Sequence, residues 1–478
     1  MEEWTVMSAD PRRWWALAVL ATAQFMVIMD TSIIGVALPD MQGALGFSQS
    51  GLQWVFNAYV VAFGGLLLLG GRLSDLLGAR RVFAAGWLVL IAGSVVAAAA
   101  DGAAAEIAGR AVQGIGSALI APSALTLLMV LFSARPKELA KAMAFYGAAA
   151  PAGGTAGVFL GGVITEWLSW PWVFIIYIPI GLATLALVPA VLPAVPGRRA
   201  GLDVAGAAAV TAGLGLAVYA IVRAPGRGWD APATALQLGG AVLLLALFVA
   251  WQRIVRGPLM PLSVWRTPGL AGANTAMALL GAAWIPMWYF LNLYLQQVLG
   301  YGAFPSGAAL LPMTALMMVL MVGVTGRLIA RFGTRPLIVT GLAVLAAGLL
   351  VLSTIDANGG FLTDVLPGSL ISAVGMSLVF IPATMAAIGG VAPEQGGLAS
   401  GIVNTTYQVG SAIGLAVMTA IATSQGAGKL GDLPALTDGF RAAFIGAAVA
   451  ALAGAGLALV TLRARSPQPA DEKESVGA

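Results

Sequence analysis

Fourteen apolar stretches, each near the length that crosses a bilayer, run through this chain at 14–38, 51–70, 82–100, 106–131, 141–163, 172–192, 203–222, 235–251, 270–297, 306–326, 337–354, 365–388, 397–423 and 440–462. A helix needs about 20 apolar residues to cross a hydrocarbon core ~30 Å thick. Backbone groups find no water there, so the spanning elements are helices or the strands of a closed barrel. The ten-residue alternation of a barrel is absent. Only 9% of the 478 residues are charged, against roughly 25% in an ordinary soluble domain. With 59% hydrophobic residues and a mean hydropathy of +0.92, the chain cannot cover a soluble surface. Richness in alanine and glycine suits helices packed closely through small residues. The expected fold class is an all-α membrane protein.

Several chemistries drop out. The sequence holds no Cys and no His, which removes a thiolate nucleophile, an imidazole base, a disulfide and an ordinary zinc site. No GxxxxGK[ST] phosphate loop appears, so nucleotide-driven pumping has no visible engine. The loops are too short for a soluble enzymatic, nucleotide-binding or receptor domain. No enzyme, metal site or nucleic-acid partner is expected; the net charge of +4 is modest. Residues 1–10 are polar and no processing site follows the first apolar run, so no cleavable signal peptide is expected.

Charge placement tests the count. With the N-terminus inside, all but five of the 24 basic residues fall on the cytoplasmic side. They include Arg12, Arg13, Arg72, Arg80, Arg81, Arg198, Arg199, Arg463, Arg465 and Lys473. Arg223, Arg227, Lys429 and Arg441 fall outside, and Arg110 lies within a span. A miscounted helix would invert the loops after it and spoil this bias. Both termini are therefore expected to be cytoplasmic.

An internal repeat divides the chain. Residues 71–81, "GRLSDLLGARR", match 326–336, "GRLIARFGTRP", at an offset of 255: Gly71, Arg72, Leu73, Gly78 and Arg80 against Gly326, Arg327, Leu328, Gly333 and Arg335. Parallel repeats about an axis along the membrane normal belong to two-bundle transporters. The parse is a six-helix bundle at 1–192, a linker with two extra membrane helices at 193–266, and a second six-helix bundle at 267–462. A polar tail at 463–478 lacks periodicity and is expected to be disordered.

Four stretches carry a resemblance: "MDTSIIGVALPDM" at 29–41, "GGRLSDLLGARRV" at 70–82, "RAVQGIGSA" at 110–118 and "GGTAGVFLGG" at 153–162. "YLQQVLGY" at 294–301 and "GGLASGIVNTTYQVGSAIG" at 396–414 support it. Together they resemble the major facilitator superfamily, and within it the fourteen-helix drug:proton antiporters of the QacA/EmrB kind. Gly35 stands where that branch usually has Asn, and Val158 where its antiporter signature often has Pro. The resemblance implies the major facilitator fold: two six-helix bundles plus two extra helices.

Each motif also has a physical reading. In 70–82, Gly70, Gly71 and Gly78 permit a tight turn. Asp75 precedes the third helix, whose N-terminal dipole favours an anion. Arg72, Arg80 and Arg81 can pair with Asp75 or with lipid phosphates. The resemblance implies that this loop latches the bundles on the cytoplasmic side; Ala330 replaces Asp75 in the second copy, so the latch would be asymmetric. Gly153, Gly157 and Gly161, with Gly162 beside them, form a ridge at spacing four that lets another helix approach. This is either static packing or a sliding seal, with Gly410 and Gly414 as its expected counterpart.

Of the 20 acids, only Asp30 falls well inside a span. Asp101, Glu106, Glu166, Asp356 and Asp364 fall near outer helix ends; Asp75, Glu138 and Glu394 lie at cytoplasmic ends. Arg110 is the only base expected to be buried. An ionisable residue within the membrane is a functional hypothesis with a partner to be named, and the resemblance makes Asp30 and Arg110 neighbours across the central cavity. They form either an ion pair that holds two helices or a proton site. Burial disfavours the charged carboxylate and a nearby Arg110 favours it.

A substrate pocket is expected at the bundle interface near the midplane. Candidate lining residues are Gln24, Asn57, Tyr59, Gln113, Trp284, Trp288, Tyr289, Asn292, Gln296, Asn404, Tyr407 and Gln408. Aromatic rings also form interfacial belts, and amides also join helices. The resemblance implies proton-coupled efflux of lipophilic or amphipathic compounds by alternating access. It implies no cofactor, with the proton as coupling ion. The expected partners are a small lipophilic substrate and membrane lipids, for a monomer in the plasma (inner) membrane of a bacterium. Lipid export, or facilitated diffusion of a nutrient or osmolyte, would use the same fold. A membrane sensor would need a soluble output domain.

Overall fold

The computed structural model describes residues 12–47, 49–194, 196–197, 203–392, 395–429 and 431–462. The tail at 463–478, the N-terminal ten residues, Arg198, Arg199 and Glu394 lie outside the described residues.

Fourteen helices among the described residues are long and apolar enough to cross a membrane. They are α1 (Arg13–Leu45), α2 (Gln49–Leu77), α3 (Ala79–Ala98), α4 (Ala103–Phe132) and α5 (Pro136–Trp167). Next come α6 (Trp172–Val191), α7 (Val204–Arg227), α8 (Pro232–Ile254), α9 (Leu270–Val298) and α10 (Phe304–Phe332). The last four are α11 (Thr334–Leu352), α12 (Phe361–Ile388), α13 (Gly396–Ala427) and α14 (Leu433–Thr461). Each expected span is met by one helix. Several helices overrun the apolar runs; α4 starts at Ala103, three residues before its run.

The packing divides into two bundles. In the first, α1 lies on α5 and α4 lies on both α2 and α3; in the second, α9 lies on α13, α11 on α12, and α14 on α9 and α11. The bundles meet where α2 and α4 press on α13 and where α5 runs along α10. Helices α7 and α8 pack on each other, and α7 also covers α2 and α13. Only 17% of the most apolar window of α8 is buried, against 78% for α4, so α8 is the peripheral member.

The repeat is structural. Gly78 (φ 92°) joins α2 to α3, and Gly333 (φ 77°) joins α10 to α11. Both turns need the left-handed backbone that glycine adopts without a Cβ clash. Arg80 donates to the Leu192 carbonyl at 3.2 Å, and its counterpart Arg335 donates to the Leu459 carbonyl at 2.7 Å. Each arginine fastens its turn to the end of the last helix in its own bundle, where unpaired carbonyls favour a cation. We call this end of the molecule, which carries both turns, the basic end.

Two expectations need correction. Gly70 and Gly71 lie within α2 and make no turn. A Cβ on Gly70 would strike the Ala118 carbonyl of α4, and one on Gly71 the Gly397 carbonyl of α13. They serve close helix approach, and the turn is made by Gly78 alone. Arg110 is also not the only buried base: Arg13 and Arg72 are buried at helix ends, Arg13 by pairing with Glu138 at 2.8 Å.

Candidate functional site

Asp30 of α1 and Arg110 of α4 form an ion pair at 2.8 Å, with both side chains fully buried. The Arg110 Nη1 donates to both carboxylate oxygens and to Gln113 Oε1 at 2.7 Å, and its Nε donates to the Val55 carbonyl at 2.9 Å. Its Nη2 has no hydrogen-bond partner among the described residues. Gln113 in turn donates to Ser94 of α3 at 2.8 Å, and Ser94 to the Leu90 carbonyl. The guanidinium sits 4.7 Å from the Tyr59 ring centroid and 5.9 Å from that of Phe174, within reach of cation–π attraction. Tyr59 donates to the Val27 carbonyl at 3.2 Å. Tyr177 stands beside Asp30 without closing a hydrogen bond of ordinary geometry. Four helices, α1 to α4, and the start of α6 thus converge on one buried charge pair. Removing either partner would leave an uncompensated buried charge, at a cost of about 3–5 kcal/mol.

Sequence reasoning placed Tyr59 and Gln113 in a substrate pocket. The structure puts both, fully buried, into this cluster. It also adds Ser94, Phe174 and Tyr177, whose residue types in apolar runs carry no distinguishing signal. Glu106 lies where the sequence puts it, in the first turn of α4, but it is fully buried there, and neither carboxylate oxygen is hydrogen-bonded among the described residues.

The other pocket candidates scatter. Gln24 is buried and accepts the Tyr146 hydroxyl at 2.9 Å. Trp284 is buried, while Asn57, Trp288, Asn292, Asn404, Tyr407 and Gln408 are half-buried. Trp288 faces the other bundle: a Cβ on Gly154 would touch its ring. Tyr407 packs edge-on against Phe380. Asn404 donates to the Ser400 carbonyl of its own helix. Gln296 is exposed and bonds to Asn292 and Ser306, and Tyr289 is exposed beside Phe290.

At the basic end, the bundles are joined by Asp75. Its carboxylate accepts the Gly397 amide at 2.8 Å and the Leu398 amide at 2.9 Å, both in the first turn of α13. These are amides that a helix N-terminus leaves unpaired, and the helix dipole favours an anion there. The expected latch residues also reach other parts of the chain at this end. Arg80 serves Leu192, Arg72 donates to the Pro258 carbonyl at 3.3 Å, and Arg81 is exposed.

The glycine ridge faces α1. A Cβ on Gly157 would lie 2.8 Å from the Met29 carbonyl oxygen, and one on Gly161 2.9 Å from that of Ile33; Gly153 meets that of Phe25. The spacing of four on α5 is answered by a spacing of four on α1, the helix that carries Asp30. Gly162 instead faces Phe304 of α10. Gly410 and Gly414 of α13 make the corresponding close contacts with Ala278 and Ala282 of α9.

Comparison with known proteins agrees with this architecture. The Major Facilitator Superfamily profile matches residues 20–414 and, in an overlapping match, 315–477. The cephamycin export protein CmcT of Amycolatopsis lactamdurans is 40% identical over 459 residues, covering 95% of this chain and 94% of that protein. The puromycin resistance protein pur8 of Streptomyces alboniger is 36% identical over 478 residues, covering 98% and 94%. The crystal structure of the human organic anion transporter MFSD10 shares the fold, with a TM-score of 0.65 at 18% identity over 94% of this chain and all of that one. The chain therefore belongs to the major facilitator superfamily, in its fourteen-helix branch of drug-efflux transporters.

Proposed function

We propose that the protein exports small amphipathic compounds in exchange for protons, with Asp30 as the carboxyl that carries the proton and Arg110 as the charge that tunes it. The carrying observation is the fully buried Asp30–Arg110 pair in the first bundle. Protonating Asp30 removes the negative half of this pair, and Arg110 must then be compensated elsewhere or be reached by water. That gives one proton-dependent switch at the junction of α1 and α4.

Read with the basic residues inside, the Asp75 contact supports a closed cytoplasmic side, and release of Asp75 from α13 opens it. The half-buried Trp288, Asn292, Tyr407 and Gln408 are the residues we assign to the substrate. Rings with uncharged amides suit an amphipathic guest. The relatives named for cephamycin export and puromycin resistance support an antibiotic-like substrate. We place the protein as a monomer in the plasma membrane of a bacterium, with both termini cytoplasmic, lipids as its surroundings and no cofactor beyond the proton.

The test uses everted vesicles with an inside-acid pH gradient and puromycin as probe. Puromycin-induced proton release by the native protein that vanishes in Asp30→Asn is the expected result. Puromycin moving down its own gradient with no proton release from either form would make the protein a facilitator.

A further inference from the structure

Resting on that reading, we infer that Glu106 is a second proton-holding carboxyl, which exchanges its proton with Asp30 while Arg110 changes partner between them. Glu106 is fully buried and both of its oxygens lack a hydrogen bond. A carboxylate in that position would be an unpaired buried charge; a carboxylic acid is not. It precedes Arg110 by four residues on α4, about 6 Å along the axis and on the same face. The Nε and Nη1 groups of Arg110 are bonded to Val55, Asp30 and Gln113, while its Nη2 has no partner among the described residues. One open donor and one open acceptor thus stand a helical turn apart.

The charged groups acting on Glu106 are Arg110 on its own helix and Asp30 on α1. Tyr59 of α2 and Tyr177 of α6 are the other titratable groups of the cluster. Helix α3 contributes none there, because Arg80 and Arg81 sit at its opposite end. The exchange balances: one O–H bond breaks on Glu106, one forms on Asp30, and Arg110 stays a cation. The Arg110 Nη2 closes on the new Glu106 carboxylate, so the cluster keeps one negative charge against one positive charge throughout. Helix α4 runs toward the basic end, so Glu106 lies on the far side of Arg110 from that end. In the proposed orientation this is the outer side, from which protons arrive. Glu106 takes up the proton and Asp30 passes it on.

Two measurements on the full chain test this. The first needs no substrate. The infrared band of a protonated carboxyl, followed through a pH titration of the purified protein, should lose one component in Glu106→Gln. An unchanged band overturns the inference, whatever the transport result. The second is puromycin-driven proton release in everted vesicles. Glu106→Gln should reduce it by about a hundredfold, the scale of a lost positioned proton carrier, and Glu106→Asp should restore part of it with a shifted pH profile. Glu106→Leu covers the case in which the Gln variant folds poorly, and a native pH profile in the Leu variant would also overturn the inference. Proton release that survives Asp30→Asn would instead retire the reading of the previous section.

Discussion

The Asp75 carboxylate of α2 accepts the Gly397 amide of α13 at 2.8 Å, across 322 residues of chain. A side chain of one bundle thereby caps a helix of the other. The contact consists of two hydrogen bonds to a helix end, on a patch where Gly71 and Gly401 let the two backbones meet. Ala330 stands at the repeat-related position and has no carboxylate to do the same. Among the described residues this cap has no repeat-related counterpart, so the contact at the basic end is asymmetric between the bundles.

Asp75→Asn should weaken this closure. Hydrogen bonds to a charged group are worth about 1.5–3 kcal/mol, and about 1.4 kcal/mol is tenfold in population. The natural absence of Cys makes Ser400→Cys, buried on α13, a single reporter thiol. A membrane-impermeant maleimide applied at the basic end should label it at least about tenfold faster when Asp75→Asn is added. Equal labelling would show that Asp75 does not hold the bundles together.

Two glycines of one motif should respond oppositely to alanine. Gly157→Ala places a Cβ 2.8 Å from the Met29 carbonyl and from the Ser32 Cβ, so α1 must move and carry Asp30 with it. Overpacking of this kind costs about 1–3 kcal/mol. Gly162→Ala meets nothing closer than 3.8 Å and should be tolerated. Melting temperature in detergent and transport rate, measured on both variants, check the contrast. Equal damage from both would mean that the ridge acts other than through α1.

The Asp30–Arg110 pair should be costly to halve and cheap to remove. Asp30→Leu or Arg110→Leu alone leaves one buried charge, at about 3–5 kcal/mol, whereas replacing a whole buried pair with apolar side chains is often neutral. The double variant should therefore be more stable than either single variant and should transport nothing. A double-mutant cycle by thermal unfolding measures the coupling. Additive losses would remove the pair from the fold's energetics.

The fourteen spans are legible in the sequence because bilayer length and hydropathy act on each run separately. Asp30 and Arg110 are legible for the same reason, as charges inside apolar runs. The partner of Asp75 is not, because backbone amides at a helix start have no residue signature. The helix-end position of Glu106 is legible, but its burial is not, because that depends on which neighbouring helices cover the first turn of α4. Tyr59 and Gln113 show the reverse limit. Their types fit a pocket, but their positions on α2 and α4 turn them toward Arg110. Side-chain direction depends on helix rotation, and that is set by the glycine contacts between helices.

The helix pair between the bundles should depend on one aspartate and on pH. Asp203 caps α7 through the Gly206 amide at 2.8 Å and accepts Trp251 Nε1 at 2.9 Å and Gln252 Nε2 at 2.7 Å from α8. Gln252 then accepts the Met260 amide at 3.0 Å, which ties the chain leaving α8 to the start of α7. Burial pushes the Asp203 carboxyl up, but the donors from Gln252, Gly206 and Trp251 outweigh it and hold the group below its ordinary value. A carboxyl lowered in the folded state stabilises above the unfolded value of about 4 and loses that contribution as pH falls through the folded value. Asp203→Ala should cost about 1–2 kcal/mol at neutral pH from the lost cap alone. Melting curves of the two forms should converge as the medium is taken below about pH 4. A gap that stays constant down to acid pH would mean that Asp203 contributes through its shape and not through its charge.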